Sequence, residues 1–129
     1  MVKIKKLRPT ICNICGGKVE YINNKQIYGK PYGSGFCYYC TNCGAYVGTH
    51  AIRPKEAFGI LANEEMRQMK MKCHDIFDSM WETCAQRKRL YKWLAERLKI
   101  KYEDCHFGYF DMPMLKKSYA ILKEKRNDT

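Results

Sequence analysis

The chain has 129 residues, with 24 Lys and Arg against 13 Asp and Glu, for a formal net charge of +11. Hydrophobic residues make up 46% of it, which fits a globular protein rather than a disordered tail, and no apolar run approaches the roughly 18 residues needed to span a bilayer. The opening Met-Val-Lys-Ile-Lys-Lys-Leu-Arg-Pro has no apolar core of a signal, so the eight cysteines read as metal ligands and spare thiols of a cytoplasmic protein, not as a secreted disulfide framework.

Composition shifts near residue 60. Residues 1–62 hold nine basic and two acidic residues and eight of the nine glycines, whereas residues 63–129 hold fifteen basic and eleven acidic residues and only Gly108. The expected fold class is α+β: a basic arm over 1–10, a β-hairpin module over 11–62, and about three helices over 63–129 packed on it.

In the first part, Lys18-Val-Glu-Tyr-Ile22 alternates polar and apolar residues. Asn23-Asn24 is a turn candidate, and Lys25-Gln-Ile-Tyr28 is expected to return as the hairpin partner. Gly29, Pro31, Gly33 and Gly35 exclude regular structure until Phe36, and Ala45–Thr49 reads as a further strand. Asn63 as N-cap, acids in the first turn, and Met66, Met69, Cys73, Phe77 and Met80 at helical spacing predict a helix over 64–81. Leu90, Leu94 and Leu98 predict a second over 86–99. Asp111 as cap, Pro113 in the first turn and the Leu115/Tyr119/Leu122 stripe predict a third.

Cys12-x-x-Cys15-Gly-Gly and Cys40-x-x-Cys43-Gly are two knuckles, each presenting two thiolates three residues apart to one ion. Together they complete a tetrahedral four-cysteine shell, and soft thiolates select zinc. The expected cofactor is therefore one structural Zn²⁺ held by Cys12, Cys15, Cys40 and Cys43. A closed shell leaves no open position for chemistry. Cys37-x-x-Cys40 is an overlapping pair, so Cys37 remains an alternative ligand; Gly44 favours the Cys40/Cys43 choice.

Two further groups carry possible function. His74 stands near Cys73 and Asp78, and His106 near Cys105 and Asp111; with His50 they could form an open metal site of a hydrolase, whereas the structural reading makes the histidines hydrogen-bond donors, Asp111 a helix cap, and Cys73 and Cys105 small buried residues. Lys18, Lys25 and Lys30 interleave with ribbon tyrosines, among them Tyr32 and Tyr39. Arg87 opens the densest basic segment, in which Arg89, Lys92 and Lys99 can lie on or near one face of the second helix. Cations for phosphates beside flat rings for bases are the ingredients of nucleic-acid binding.

Tyr28-Gly-Lys-Pro-Tyr-Gly33, Cys40-Thr-Asn-Cys-Gly-Ala-Tyr-Val-Gly-Thr-His50, His74-Asp-Ile-Phe-Asp78 with Trp81, Tyr91-Lys-Trp-Leu-Ala95 and Cys105-His-Phe-Gly-Tyr-Phe-Asp111 resemble, in order and spacing, a bacterial and phage family of zinc-finger-containing domains of unknown function. The resemblance covers about residues 10–122 and implies a zinc ribbon with a helical tail. The ribbon is also similar to those appended to type I topoisomerases, which implies single-stranded DNA as a partner. Lys99 stands where the family usually has Gly, and Cys37 adds a thiol beside the expected pair.

The expected function is a non-enzymatic, DNA- or RNA-binding adaptor of phage or prophage type, in a bacterial cell or phage-infected host. The alternative is a phage protein-interaction module that docks on a host polymerase, nuclease or defence protein. A metal-dependent nuclease using His50, His74 and His106 is the third reading.

Overall fold

In a computed structural model, which describes residues 7–127, the chain forms two compact units, one ending at Glu64 and the other starting at Glu65. Residues 1–6 of the expected basic arm lie outside the described residues. The fold class is mixed α+β, as the composition shift anticipated.

The first unit is a three-stranded antiparallel sheet in the order β1 (Val19–Asn23), β2 (Phe36–Cys40), β3 (Tyr46–Gly48). Bridges Tyr46↔Ala62 and Thr49↔Ala57 tie the following segment to β3 and its end. Alternation along the strands puts Val19, Tyr38, Cys40 and Val47 on one face, where they bury against Cys12, Ala45, Ala57 and Leu61. Leu7 packs on that cluster, and Arg8 pairs with the buried Glu56 at 2.7 Å, so the end of the arm is anchored by an apolar contact and a charged one.

The hairpin expected between residues 18–22 and 25–28 does not form. β1 pairs instead with β2, in the register Val19↔Cys40 to Asn23↔Phe36. Residues Lys25–Tyr28 make a single helical turn (α1), closed by Gly29 in the left-handed conformation at φ 80°. The deciding residue is Asn24. Its side chain is buried and spans the loop, donating to the Tyr32 carbonyl at 2.6 Å and accepting from the Tyr32 N–H at 3.0 Å. An Asn that satisfies a remote backbone pair in this way favours a wide loop over a two-residue turn.

The second unit holds α2 (Glu64–Asp78, begun at the unit boundary), α3 (Cys84–Leu98) and α4 (Met112–Asn127), with 3₁₀ turns at Tyr102–Asp104 and Phe107–Tyr109. Helix α2 stops three residues short of its expected end, where Trp81 Nε1 donates to Asp78 Oδ1 at 3.0 Å. Helix α3 begins two residues earlier than expected. Thr83 and Gln86 form a reciprocal capping box there. Leu90, Leu94 and Leu98 are buried as their spacing requires, and so are Leu115 and Leu122, with Ser118 completing the α4 stripe. Phe77, Phe107, Tyr91 and Phe110 fill the space between the helices.

Lys99 ends α3 at φ 60°, ψ 41°, a left-handed cap normally taken by Gly. An L side chain there costs about 1 kcal/mol. Lys99→Gly is therefore expected to stabilise the helical unit by about 0.5–1 kcal/mol, read as a rise of several degrees in its thermal midpoint. No rise would remove the cap strain from this account.

Candidate metal centre

Each knuckle is built by the same backbone device. Gly16 N–H donates to the Cys12 carbonyl at 2.9 Å, and Gly44 N–H to the Cys40 carbonyl at 3.1 Å. Returning bonds run from Cys12 N–H to Gly17 and from Cys40 N–H to Ala45. Such tight reversals need a left-handed residue after the second cysteine, and Gly16 (φ 76°) and Gly44 (φ 82°) supply it.

The two knuckles meet sulfur to sulfur. Cys12 and Cys43 Sγ lie 3.7 Å apart and Cys15 and Cys40 Sγ 3.5 Å apart, and all four sulfurs fall within 4.8 Å of one another. A tetrahedral ion with Zn–S bonds of about 2.3 Å requires sulfurs about 3.8 Å apart, whereas a disulfide requires about 2.05 Å. The donors therefore fit one zinc ion and no disulfide. The space is shaped for it too. A Cβ on Gly17 would stand 2.7 Å from Asn42 Cβ, 3.1 Å from Cys40 Sγ and 3.2 Å from Cys15 Sγ.

The N–H groups around the sulfurs are aimed at thiolates. Ile14, Gly17 and Cys43 donate backbone N–H bonds to Cys12, Cys15 and Cys40 at 3.3, 3.3 and 3.5 Å. Asn42 Nδ2 adds a second donor to Cys15 at 3.4 Å. That side-chain bond, with the Gly17 N–H, brings Cys15 down to about 6. At Cys43 the Ala45 N–H pulls downward, but loss of solvation and the three neighbouring thiols outweigh it, and the pKa rises to about 12. Four sulfurs this close cannot all ionise unaided; a central dication supplies the missing charge and stabilises all four thiolates.

The sequence signals this role of Asn42 only by its place inside Cys40-x-x-Cys43. Removing such an outer donor costs metal affinity about 10–100-fold. Asn42→Ala is accordingly expected to release zinc about tenfold faster or more to a chromophoric chelator, with the fold retained. Unchanged release would deny Asn42 that role.

Cys37 is not brought to this centre. In strand β2 it points to the face opposite Cys40, is 1% exposed, and burial pushes its thiol up to about 11. The open alternative of Cys37 as ligand is thereby closed. Two cysteines three apart within a strand face opposite ways; Cys40 and Cys43 share an ion because the chain leaves the strand between them.

Among the described residues, the four cysteines are the group of His, Cys, Asp and Glu side chains whose ligand atoms converge for a metal. His50 packs on Phe58 with ring centroids 4.5 Å apart, His74 on Phe107 at 4.9 Å, and His106 on Tyr109 at 5.0 Å. Cys105 is buried, which pushes its thiol up to about 12, and Asp111 accepts from the Met114 N–H as a helix cap.

The basic and aromatic candidates fall at the surface. Lys18, Lys25 and Lys30 are exposed on the ribbon, with Tyr32 exposed and Tyr39 half-buried. Arg87, Arg89, Lys92 and Lys99 are exposed on or at the end of α3, Arg87 lying over two rings and Lys92 Nζ 5.8 Å over Tyr102. No helix of the described residues is long and apolar enough to cross a membrane.

A family model described as a zinc-finger-containing domain matches residues 8–125. No curated protein and no solved structure matches the chain.

Proposed function

We propose, for a chain that belongs to the family of zinc-finger-containing domains, a non-enzymatic role as a cytoplasmic nucleic-acid-binding adaptor of phage or prophage type. The observation that carries this reading is an aromatic run on the ribbon. Tyr39 and Tyr46 are register partners on one sheet face. Tyr46 meets Tyr28 edge-on at 6.1 Å, and Tyr28 meets Tyr32 at 5.6 Å. Tyr32 ends the run 70% exposed, with Lys25 and Lys30 exposed on the same loop.

A core tyrosine would be covered; these are progressively uncovered toward the lysines. Unstacked bases need such ring faces, and the phosphates between them need nearby cations. The zinc centre supports the reading by holding the knuckles rigid. Its four thiolates form a closed shell, which favours a structural role over hydrolysis.

The test is binding of a labelled single-stranded 12-mer, DNA and RNA in turn. Contacts from Lys18, Lys25 and Lys30 give an expected log–log salt slope of about −2 for a single strand. Tyr32→Ala is expected to weaken binding by about 1–3 kcal/mol at fixed salt, and Lys30→Ala to flatten the slope by about 0.7. Absent or salt-insensitive binding overturns the proposal.

One observation favours a second reading, docking on a host protein: Met71 is 64% exposed on α2, where a flexible thioether can adapt to a partner. Stoichiometric recovery of a protein after nuclease treatment, lost in Met71→Glu, would support it.

A further inference from the structure

The segments around Asp78, Trp81, Arg87 and Tyr91 serve neither the zinc centre nor the ribbon aromatics, yet they meet at one corner of the helical unit. Arg87 Cζ lies 4.8 Å from the Tyr91 ring centroid and 5.7 Å from that of Trp81. Its Nη2 donates to the Tyr91 hydroxyl at 3.4 Å. Both rings are themselves held. Tyr91 is buried against Phe77 at 4.2 Å, and the Trp81 indole N–H donates to Asp78. The backbone under Arg87 is fixed as well, because its N–H donates to the Thr83 carbonyl beside the capping box.

A solvated surface arginine needs none of this. Stacking fixes the plane of the guanidinium, and a guanidinium has five N–H donors. One neutral hydroxyl is the acceptor it has found. Among the described residues no carboxylate reaches Arg87 within ion-pair distance, in contrast to Arg8, whose guanidinium is bound by Glu56. Arg87 is exposed, as are its neighbours Lys88 and Arg89, so the unused donors are open to a ligand.

We propose that this corner is a recognition site for a phosphate monoester, with Arg87 as the anchoring fork and Trp81 and Tyr91 as the residues that orient it. A planar fork binds two oxygens of one phosphate at once, which a lysine cannot do. Ligand charge makes the distinction between phosphate types. Arg87, with Lys88 and Arg89 beside it, outweighs the single carboxylate of Asp78, so the corner is net positive and its attraction scales with the charge of the ligand. A terminal phosphate carries about −1.5 to −2 and three free oxygens, so it gains more than a singly charged diester. The ligand is therefore the 5′ end of a strand or a small phosphate ester. Only the strand as source rests on the nucleic-acid reading above.

Two arms on the zinc-loaded full chain test it. In the first, the Trp81 indole ¹H–¹⁵N resonance, assigned through Trp81→Phe, is followed during titration with inorganic phosphate, with chloride at matched ionic strength as control. A saturable shift specific to phosphate, lost in Arg87→Lys, is expected. In the second, anisotropy compares one 8-mer carrying a 5′-phosphate or a 5′-hydroxyl. The phosphorylated end is expected to bind about tenfold tighter, the scale of one charge-assisted pair. Arg87→Lys erases that preference, and Tyr32→Ala weakens both oligomers while keeping it.

Arg87→Lys preserves charge and helix propensity, and an unchanged thermal midpoint shows that it folds. A phosphate shift without oligomer binding supports the site with a small ester as its source, while the ribbon proposal fails separately. No phosphate-specific shift, together with equal affinity for both ends or none for either, overturns the inference.

Discussion

Cys40→Ser is expected to abolish zinc binding and unfold the ribbon unit, the largest effect any single substitution in that unit should have. Cys40 is fully buried, and its sulfur lies 3.5 Å from that of Cys15. It also belongs to both the sheet and the knuckle, being the register partner of Val19 and the first residue of the second turn. The apolar cluster beneath is small, and a structural zinc contributes apparent free energies of about 10–16 kcal/mol in zinc-finger peptides at neutral pH. A unit of this size, with stability on the order of 3–10 kcal/mol, does not survive that loss.

Metal analysis should give one zinc per chain for the wild type and none for Cys40→Ser. Amide exchange of β1–β3 should become unprotected in the variant and, likewise, on chelation. Cys37→Ser should retain the ion, because its sulfur lies on the other sheet face. Since zinc binds thiolates, protons compete with it, so acidification should expel the metal and the ribbon should unfold as pH falls. Retention of stoichiometric zinc in Cys40→Ser would overturn the assignment of that ligand.

Phe77→Ala should remove most of the stability of the helical unit. Phe77 is 0% exposed and lies 4.2 Å from the Tyr91 ring and 5.7 Å, edge-on, from Phe107. It thereby links α2, α3 and the turn at Phe107. Phe→Ala in a packed core costs about 3–5 kcal/mol, since the lost transfer energy is joined by that of the cavity. Met71→Ala, on the exposed side of the same helix, is the control and should stay within about 0.5 kcal/mol. Urea denaturation with amide exchange read over α2–α4 measures both. Equal effects would mean that the aromatic group is not the core of this unit. The loss should also blur the Arg87 corner, because Tyr91 rests on Phe77.

Legibility differed by how local each feature is. The four zinc ligands could be read from two Cys-x-x-Cys-Gly runs, because a knuckle is made by its own six or so residues. The three long helices could be read from their stripes, since a period of 3.6 is a property of the segment itself. Their ends are less legible: α2 stops at Asp78, where side-chain bonds at Ser79 and Trp81 take over, and α3 starts at a capping box, Thr83-x-x-Gln86, two residues ahead of the start its leucine stripe suggests.

The sequence by itself determined that this is a zinc-ribbon protein with a helical segment, which ligands meet the ion, and most of the apolar stripe of each helix, though not Ser118 of α4 or Ile76 of α2. The tertiary structure alone decided the partner of β1, the exclusion of Cys37 and the corner around Arg87. Each of these depends on how separate turns and segments meet, which no single run displays: Asn24 closing a loop on Tyr32, a sheet assigning its two faces, a guanidinium set against the ring of Tyr91 on its own helix and that of Trp81 just before it. Local patterns set what a segment can form. Which segments meet is set by non-local contacts, whose gain has to exceed the entropy of closing the chain between them, and no single stretch of sequence carries that balance.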